Sequence, residues 1–466
     1  MGNLAVVGPS NLGITAKVES QRSINWYPCA PERQGQKPHL RGRPGLELHC
    51  VLPKTKARGT LEMDDRAFAV YGTGIYEIYE NGTFREWGTI PSFDGKVTMA
   101  RLLNTIVIGD GSGYYALDID AGTVSKITDA PRGRFCVFFD QRILYQGENG
   151  EVFYSELNDP TNIPGANFFT AESLPDDIVA ITTSEEQILL HGRNSTEPWY
   201  DSGDADNPFQ RVPGGTVYSG CGHPDTALRL DNSAWWVEID AHGQNIVRRT
   251  QGATPVRVST EAVERWLRTA ENVAAHAYQE DGHTFYNLTA DQGPTWSYDL
   301  KEQEWHERSW LNPNTGERER PRPEHHIYAF GTHLVTDYES GKVYRQSLDY
   351  HDDAGQEIAC ERITKHSGGD GQQIIIDELY LDFATGVGLD GSGQGTDPQV
   401  MLRVSKDGVG FGKELWRSIG KIGEYRTRVR YHRLGVGTDW VFWIRVSDPV
   451  LRVLMGGDVV VRPGRR

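Results

Sequence analysis

The sequence predicts an all-β protein: a β-propeller, with seven blades preferred and six possible, followed by a C-terminal β-sandwich. Three observations carry this. Short apolar runs alternate with turn formers, among them 52 glycines. One strand–turn–strand unit recurs through the first 366 residues. From about residue 371 the texture changes to longer alternating strands. At 466 residues the chain exceeds one ordinary core, so two or three domains are expected.

Each unit has an apolar strand, a second strand, a Gly-centred turn, a third strand rich in Tyr or Trp, and a shorter fourth. The second strands centre on Phe68, Ile106, Ile143, Ile188, Trp235, Phe285 and Leu334, with steps of 38, 37, 45, 47, 50 and 49 residues. Such spacing suits propeller blades. A single blade cannot bury both faces, and packing blades radially covers them. Seven units fit residues 56–366, and "RGRPGLELHC" (41–50) can supply a closing strand to the last. "YSELNDPTNI" (154–163) is too polar for core. Asn158 or Asp159 can bond its own backbone two residues on, and Pro160 ends the strand, so the stretch is a turn leaving the third blade. "STEAVERWLRTAENVAAHA" (259–277) suits a helical insert capped by Ser259 or Thr260. Residues 1–55 precede the units as an arm and closing strand. Its first 40 residues are Gly, Pro and polar rich, with one aromatic knot at Trp26-Tyr27. That is too little to fold by itself, so packing on blades or on other subunits is expected to order it.

Residues 371–466 hold the strands of the sandwich, in "QQIIIDELYLDFATG", "QVMLRVSKDG", "TRVRYHRLG" and "TDWVFWIRVSD". The Gly-rich "GVGLDGSGQG" (386–395) between them is a surface loop. Net charge is −16, but residues 399–466 carry 14 Lys or Arg against 6 Asp or Glu, a balance of +8, which leaves −24 for the first 398. This fits a soluble acidic body with a basic end, or a basic surface that docks on an acidic neighbour. In "YRTRVRY", Arg426, Arg428 and Arg430 alternate with Thr427, Val429 and Tyr431, so on a strand three guanidiniums share one side. A solvated face and a stripe pairing with acids of an adjoining subunit both remain open.

Signals for catalysis are weak. Cys29, Cys50, Cys136, Cys221 and Cys360 are far apart, which suits free thiols rather than disulfides or zinc. Asp64-Asp65, Asp176-Asp177 and Asp352-Asp353 fall at turns, whereas glycoside hydrolysis needs two carboxylates about 5–9 Å apart across a cleft. His325-His326 diverge on a strand, so with His333 they suit surface positions rather than a metal site. "SKDGVGF" (405–411) departs from the sialidase Asp-box at Val409 and suits a hairpin turn. The motifs of nucleophile elbows, zinc proteases, P-loops and DNA-reading modules are missing. No apolar stretch approaches the ~20 residues needed to cross a bilayer, so no membrane insertion is expected. No catalytic, cofactor-binding or metal-ligating residue is assigned, and no cofactor.

Three stretches together resemble the packaged-DNA stabilisation protein family, the tail hub of short-tailed bacteriophages. They are "INWYPCAPERQG…LRGRPGLEL", "RILYQGENGEVFYSELNDPTNI" and "SKDG…GKIGEYRTRVRYHRLG…DWVFWIRVSDPV". The similarity spreads over nearly the whole chain. Tyr154 stands where a Trp is common in that family, and Cys29 follows Pro28. The resemblance implies a non-enzymatic protein of the virion tail, assembled in the host cytoplasm. It would form a hexameric ring below the portal and its adaptor, the head-to-tail connector. There it would help retain packaged DNA and carry the tail needle and the tailspike or tail fibres. It would lie close to double-stranded DNA without reading its sequence. An acidic channel lining would let that DNA slide rather than stick. Candidate subunit-interface residues are Trp26, Tyr27, Arg426, Arg428 and Arg430. The alternative is a carbohydrate-binding or glycan-hydrolysing propeller protein, which clustered Trp and acids in a central pocket would favour.

Overall fold

A computed structural model describes residues 2–13, 20–31, 33, 35–171, 176–184, 186–204, 207–240, 242–252, 254–368 and 372–464. Seven four-stranded antiparallel units follow one another. Blade one spans Ala57–Met63 to Phe84–Thr89, and blade two Thr98–Leu102 to Thr123–Lys126. Blade three spans Cys136–Phe139 to Phe168–Thr170, and blade four Ala180–Ser184 to Phe209–Arg211. Blade five spans Leu228–Leu230 to Thr254–Arg257, and blade six Ala274–Glu280 to Glu304–Arg308. Blade seven has Pro323–Ala329, Thr332–Asp337 and Lys342–Ser347, and takes its fourth strand from Gly45–Val51. That is the closing strand expected from 41–50. The first strand of each blade touches the first strand of the next, and blade seven's touches blade one's, so the ring is closed. All seven second-strand anchors lie in second strands.

Several hairpins between first and second strands turn on two left-handed residues, as at Asp64 (φ 51°) and Asp65 (62°), or Asp231 (49°) and Asn232 (55°). Such turns follow the strand twist and favour Asn, Asp and Gly. The polar stretch 154–163 does not leave blade three as expected but joins its third and fourth strands, because Phe168–Thr170 returns to pair with Glu151–Tyr154. Asn158 is left-handed (φ 58°), and Asp159 Oδ1 accepts from the Thr161 N–H at 3.1 Å and its hydroxyl at 2.9 Å.

Apolar side chains fill most seams between blades. Ile106 and Ile108 pack with Phe68 and Val70 between blades one and two. Tyr286, Leu288 and Trp296 pack with Trp235 and Val237 between blades five and six. Fully burying one such side chain stabilises by about 1.5–3 kcal/mol. The seam between blades six and seven is polar instead. His276, Arg308, Gln346 and Pro323 surround a cavity of about 20 Å³ there.

The helix is shorter than 259–277 suggests: only Glu261–Leu267 is helical, and Ala274–Glu280 is the first strand of blade six. Left-handed Asn272 (φ 52°) precedes that strand, and Ala274, His276 and Tyr278 are buried with a period of two. The Thr260 side chain does not cap the helix; Ser259 Oγ donates to Glu264 at 2.7 Å.

The sandwich has two sheets. One runs Trp26–Cys29, His39–Gly42, Val453–Pro463, Ile374–Phe383, Val429–Gly437, with Gly2–Asn3 added on Val453–Pro463. The other runs Arg22–Ile24, Cys360–Ile363, Asp439–Val446, Gln399–Ser405, Leu415–Ser418. Arg22–Ile24 also pairs, in parallel, with Glu304–Arg308, so this sheet continues blade six. The sandwich core joins Leu379, Leu402, Phe442 and Leu454 to Trp26 and Leu40 of the arm. Two expected boundaries therefore move. Residues 360–363 pair inside the sandwich, not the propeller, and the arm's strands before Gly45 belong to the sandwich sheets.

Candidate functional site: the arm junction, the axis and the open edge

The arm, blade six and the sandwich meet at Asn25, a left-handed residue (φ 57°), a conformation Asn tolerates. Its Nδ2 donates to the Ala359 carbonyl at 2.9 Å. Its Oδ1 accepts from the Ser309 N–H and from Arg43 Nε, each at 2.9 Å. Arg43 gives its two terminal nitrogens to Asp353 at 2.9 and 2.6 Å. Both partners are buried, so Asp353 is an ion-pair anchor and not the solvated turn acid expected from the sequence. Arg362, fully buried, donates to the Gly8 and Pro9 carbonyls at 3.1 and 3.0 Å and to Gln21 Oε1 at 2.6 Å. Burial pulls this guanidinium down to about 9.

Trp26 and Tyr27 are 0% and 1% exposed. Trp26 Nε1 donates to the Arg452 carbonyl at 3.3 Å, and Tyr27 meets the Phe285 ring edge-on with centroids 5.3 Å apart. These two residues have no surface left for a neighbouring subunit. The aromatic knot is covered by distant strands of its own chain, a partner that local sequence does not show.

At one mouth of the propeller axis, ion pairs cross between blades that are not adjacent. Lys96, entering blade two, pairs with Glu324 of blade seven, which also pairs with Arg320. Arg134, entering blade three, pairs with Asp225, just before blade five, at 2.7 Å. His325 Nε2 lies 3.3 Å from Lys96 Nζ. Burial, the largest influence, pulls the Lys96 ammonium down to about 7, with Arg320 and Arg134 adding to it and Asp225 opposing. His326 diverges from His325 and sits 2.9 Å from His333 Nδ1. His325 and His326 are half-buried rather than on the surface because their strand is the innermost of blade seven, and His333 is half-buried on the second strand beside it. Burial pulls His326 down to about 3. Trp235, Trp296 and Trp305 lie in the apolar core between blades five and six, away from this mouth.

Sequence reading missed a Cys–His–Asp contact. Cys29 Sγ is 3.8 Å from His283 Nε2, and His283 Nδ1 is 2.6 Å from Asp299. Cys29 and His283 line a cleft of about 690 Å³. Burial pushes the Cys29 thiol up to about 12, so it stays protonated and un-nucleophilic. The adjacent Ala30 N–H, which could have faced an oxyanion, donates to Glu302 at 3.0 Å. The arrangement fits packing between arm and blade six. Only the spacing of His283 and Asp299 within one blade could have flagged it. Among the described residues no group of three metal-ligating side chains gathers, and no helix is long and apolar enough to cross a membrane.

The three arginines do not form one strand stripe. Arg428 and Arg430 flank buried Val429 and share an exposed side, with Arg430 in the strand Val429–Gly437. Arg426 lies in the preceding turn, where Gly420 (φ 113°) and Gly423 (φ 80°) bend the chain. Arg430 donates to Glu378 at 2.9 Å and to the Tyr380 hydroxyl. Val429–Gly437 is the last strand of one sheet and Leu415–Ser418 the last of the other. Arg417 joins these two edges, donating to the Arg430 carbonyl at 3.1 Å.

Residues 16–350 match the family model described as Bacteriophage P22 Gp10, beta-propeller, and residues 359–462 match that described as Bacteriophage P22 Gp10, beta-sandwich. No curated protein matches the chain. Among solved structures, the extracellular domain of the putative hybrid two component system BT4673 from B. thetaiotaomicron is similar at 10% identity and a TM-score of 0.46, over 65% of this chain and 39% of that one. BamB from Moraxella catarrhalis is similar at 8% identity and a TM-score of 0.39, over 64% of this chain and 97% of that one. Likenesses at that level carry no argument about function.

Proposed function

This chain belongs to the bacteriophage Gp10 family of packaged-DNA stabilisation proteins, structural components of the phage tail, and from that premise we propose that it forms the hub ring of the tail. In this reading six copies assemble in the host cytoplasm below the portal and its adaptor. The ring helps retain packaged DNA and carries the needle and the tailspike or fibres. The observation that supports this most is the family match running through both domains. The crossed ion pairs at the axis fit it too. With that mouth occupied, DNA would pass along a channel between subunits and not through any one propeller. The chain's −16 charge would keep phosphates from sticking to such a channel. The same occupied mouth disfavours a carbohydrate site there. The test is the mass of the purified chain alone and bound to its portal–adaptor complex. Six copies per complex are expected. A single copy per complex, or no binding, would refute the ring.

A further inference from the structure

The two domains present opposite surfaces. In a four-stranded antiparallel blade, the turns after the first and third strands lie at the same end, so around the ring they form one face. On that face stand Asp64, Asp120, Asp140, Asp159 and Asp231, all exposed. Turn geometry accounts for Asn, Asp or Gly at the left-handed positions, but it does not require a charge. In blade six the arm covers this end: Arg41 pairs with Asp281, and Ala30 donates to Glu302. The acids of blades two and three remain open to solvent.

The open side of the sandwich is the complement. Residues 412–417 and 421–426 are exposed without interruption. They present Trp416 (49% exposed) and Tyr425 (74% exposed) beside Arg417, Arg426 and Arg428. Trp, Tyr and Arg are the residues that anchor protein interfaces. The surface is also pre-shaped. Thr385 Oγ1 donates to the Tyr425 carbonyl at 3.0 Å, and Gly386 (φ 76°) leaves room for the Tyr425 ring, which a Cβ would meet at 2.6 Å. Rigid aromatic groups lose little entropy on binding. Two sheets end here side by side, and open edges invite partners.

We infer that this aromatic and basic edge docks head to tail on the acidic turn face of a second copy, around blades two and three. The inference rests on the ring reading and names the surfaces that would build it. A contact between two different patches repeats from copy to copy and closes when the rotation allows, as a ring requires. The +8 balance of residues 399–466 against −24 for the rest points to the chain itself as the partner.

A charge-swap experiment on the full chain tests this. One variant carries Arg426→Glu and Arg428→Glu, the other Asp120→Lys and Asp159→Lys. Association is followed by sedimentation velocity, alone and on the portal–adaptor complex. Wild type should associate, and more weakly as salt rises. Each variant alone should lose association by at least tenfold. An equimolar mixture should recover it, because each altered surface meets its altered counterpart. Variants that associate like wild type, or a mixture that fails to recover, overturn the assigned surfaces and leave the ring intact. A wild type that never self-associates in either setting refutes the ring and, with it, the second copy as occupant.

Discussion

In the propeller the N-terminal segment adds one strand, Gly45–Val51, to a blade that already has three of its own. In the sandwich it adds four: Gly2–Asn3, Arg22–Ile24, Trp26–Cys29 and His39–Gly42. Leu4, Val6, Trp26 and Leu40 are also part of the sandwich core. Six blades are built wholly from their own stretch of chain, whereas the sandwich is a composite of segments more than 300 residues apart. The N-terminal segment is thus a clasp for one domain and a structural half-share of the other. It also stitches them, because Arg22–Ile24 lies between blade six and Cys360–Ile363 in one continuous sheet.

Deleting residues 1–44, which keeps the clasp, should break the two domains apart in behaviour. Limited proteolysis should cut freely across 360–464 while the seven blades survive, read by protected fragments. A sandwich that stays resistant would mean that it stands without the N-terminal strands. Asp353→Ala strands Arg43 in the junction, and losing one partner of a buried pair costs about 3–5 kcal/mol. Urea unfolding should show that loss, while Asp352→Ala next to it changes little. Equal effects would mean that the junction is not a point of coupling.

Acid should weaken the propeller first. Burial pulls His191 in blade four and His326 in blade seven down to about 3, and His276 and His306 well below their usual value. Each is neutral when folded and takes up a proton when unfolded. Stability is therefore full above pH about 6.5 and falls by about 1.4 kcal/mol per pH unit per histidine as pH drops towards the folded values. His326→Gln should flatten the slope of unfolding free energy between pH 6.5 and pH 4 by about one proton. An unchanged slope would contradict its buried neutral state. The smallest effect is expected at the open edge. Changing Arg426, Arg428 and Arg430 together to Ser should leave the thermal midpoint of the isolated chain nearly unmoved, since exposed charges contribute little. A large drop would make the edge part of the fold and not a surface.

The blades were legible because each repeats one local pattern, so that Phe68, Ile106 and the other anchors mark second strands by spacing alone. The closing strand was legible because an apolar run in 41–50 stands just before the first unit, where joining the last blade ties the ends of the ring together. The arm was not. Its strands are two to four residues long and pair with positions such as Arg362 and Leu454, too far away and too short to leave a period. The second half of the presumed helix misled because alanine suits a helix, while burial at Ala274, His276 and Tyr278 follows a strand. Arg426 misled because alternation in sequence implies a shared face only where the chain is extended, and the strand starts at Val429. Asp353 looked like a solvated turn acid because Arg43, its partner, lies 310 residues away.

Hydrogen exchange on the isolated, unassembled chain decides whether the N-terminal segment is ordered by its own chain. The amides of Ile24, Tyr27 and Arg41 should be protected as strongly as those of the central strand Ile374–Phe383. Rapid exchange at those positions in the monomer, with protection gained only on assembly, would show instead that neighbouring subunits order the arm.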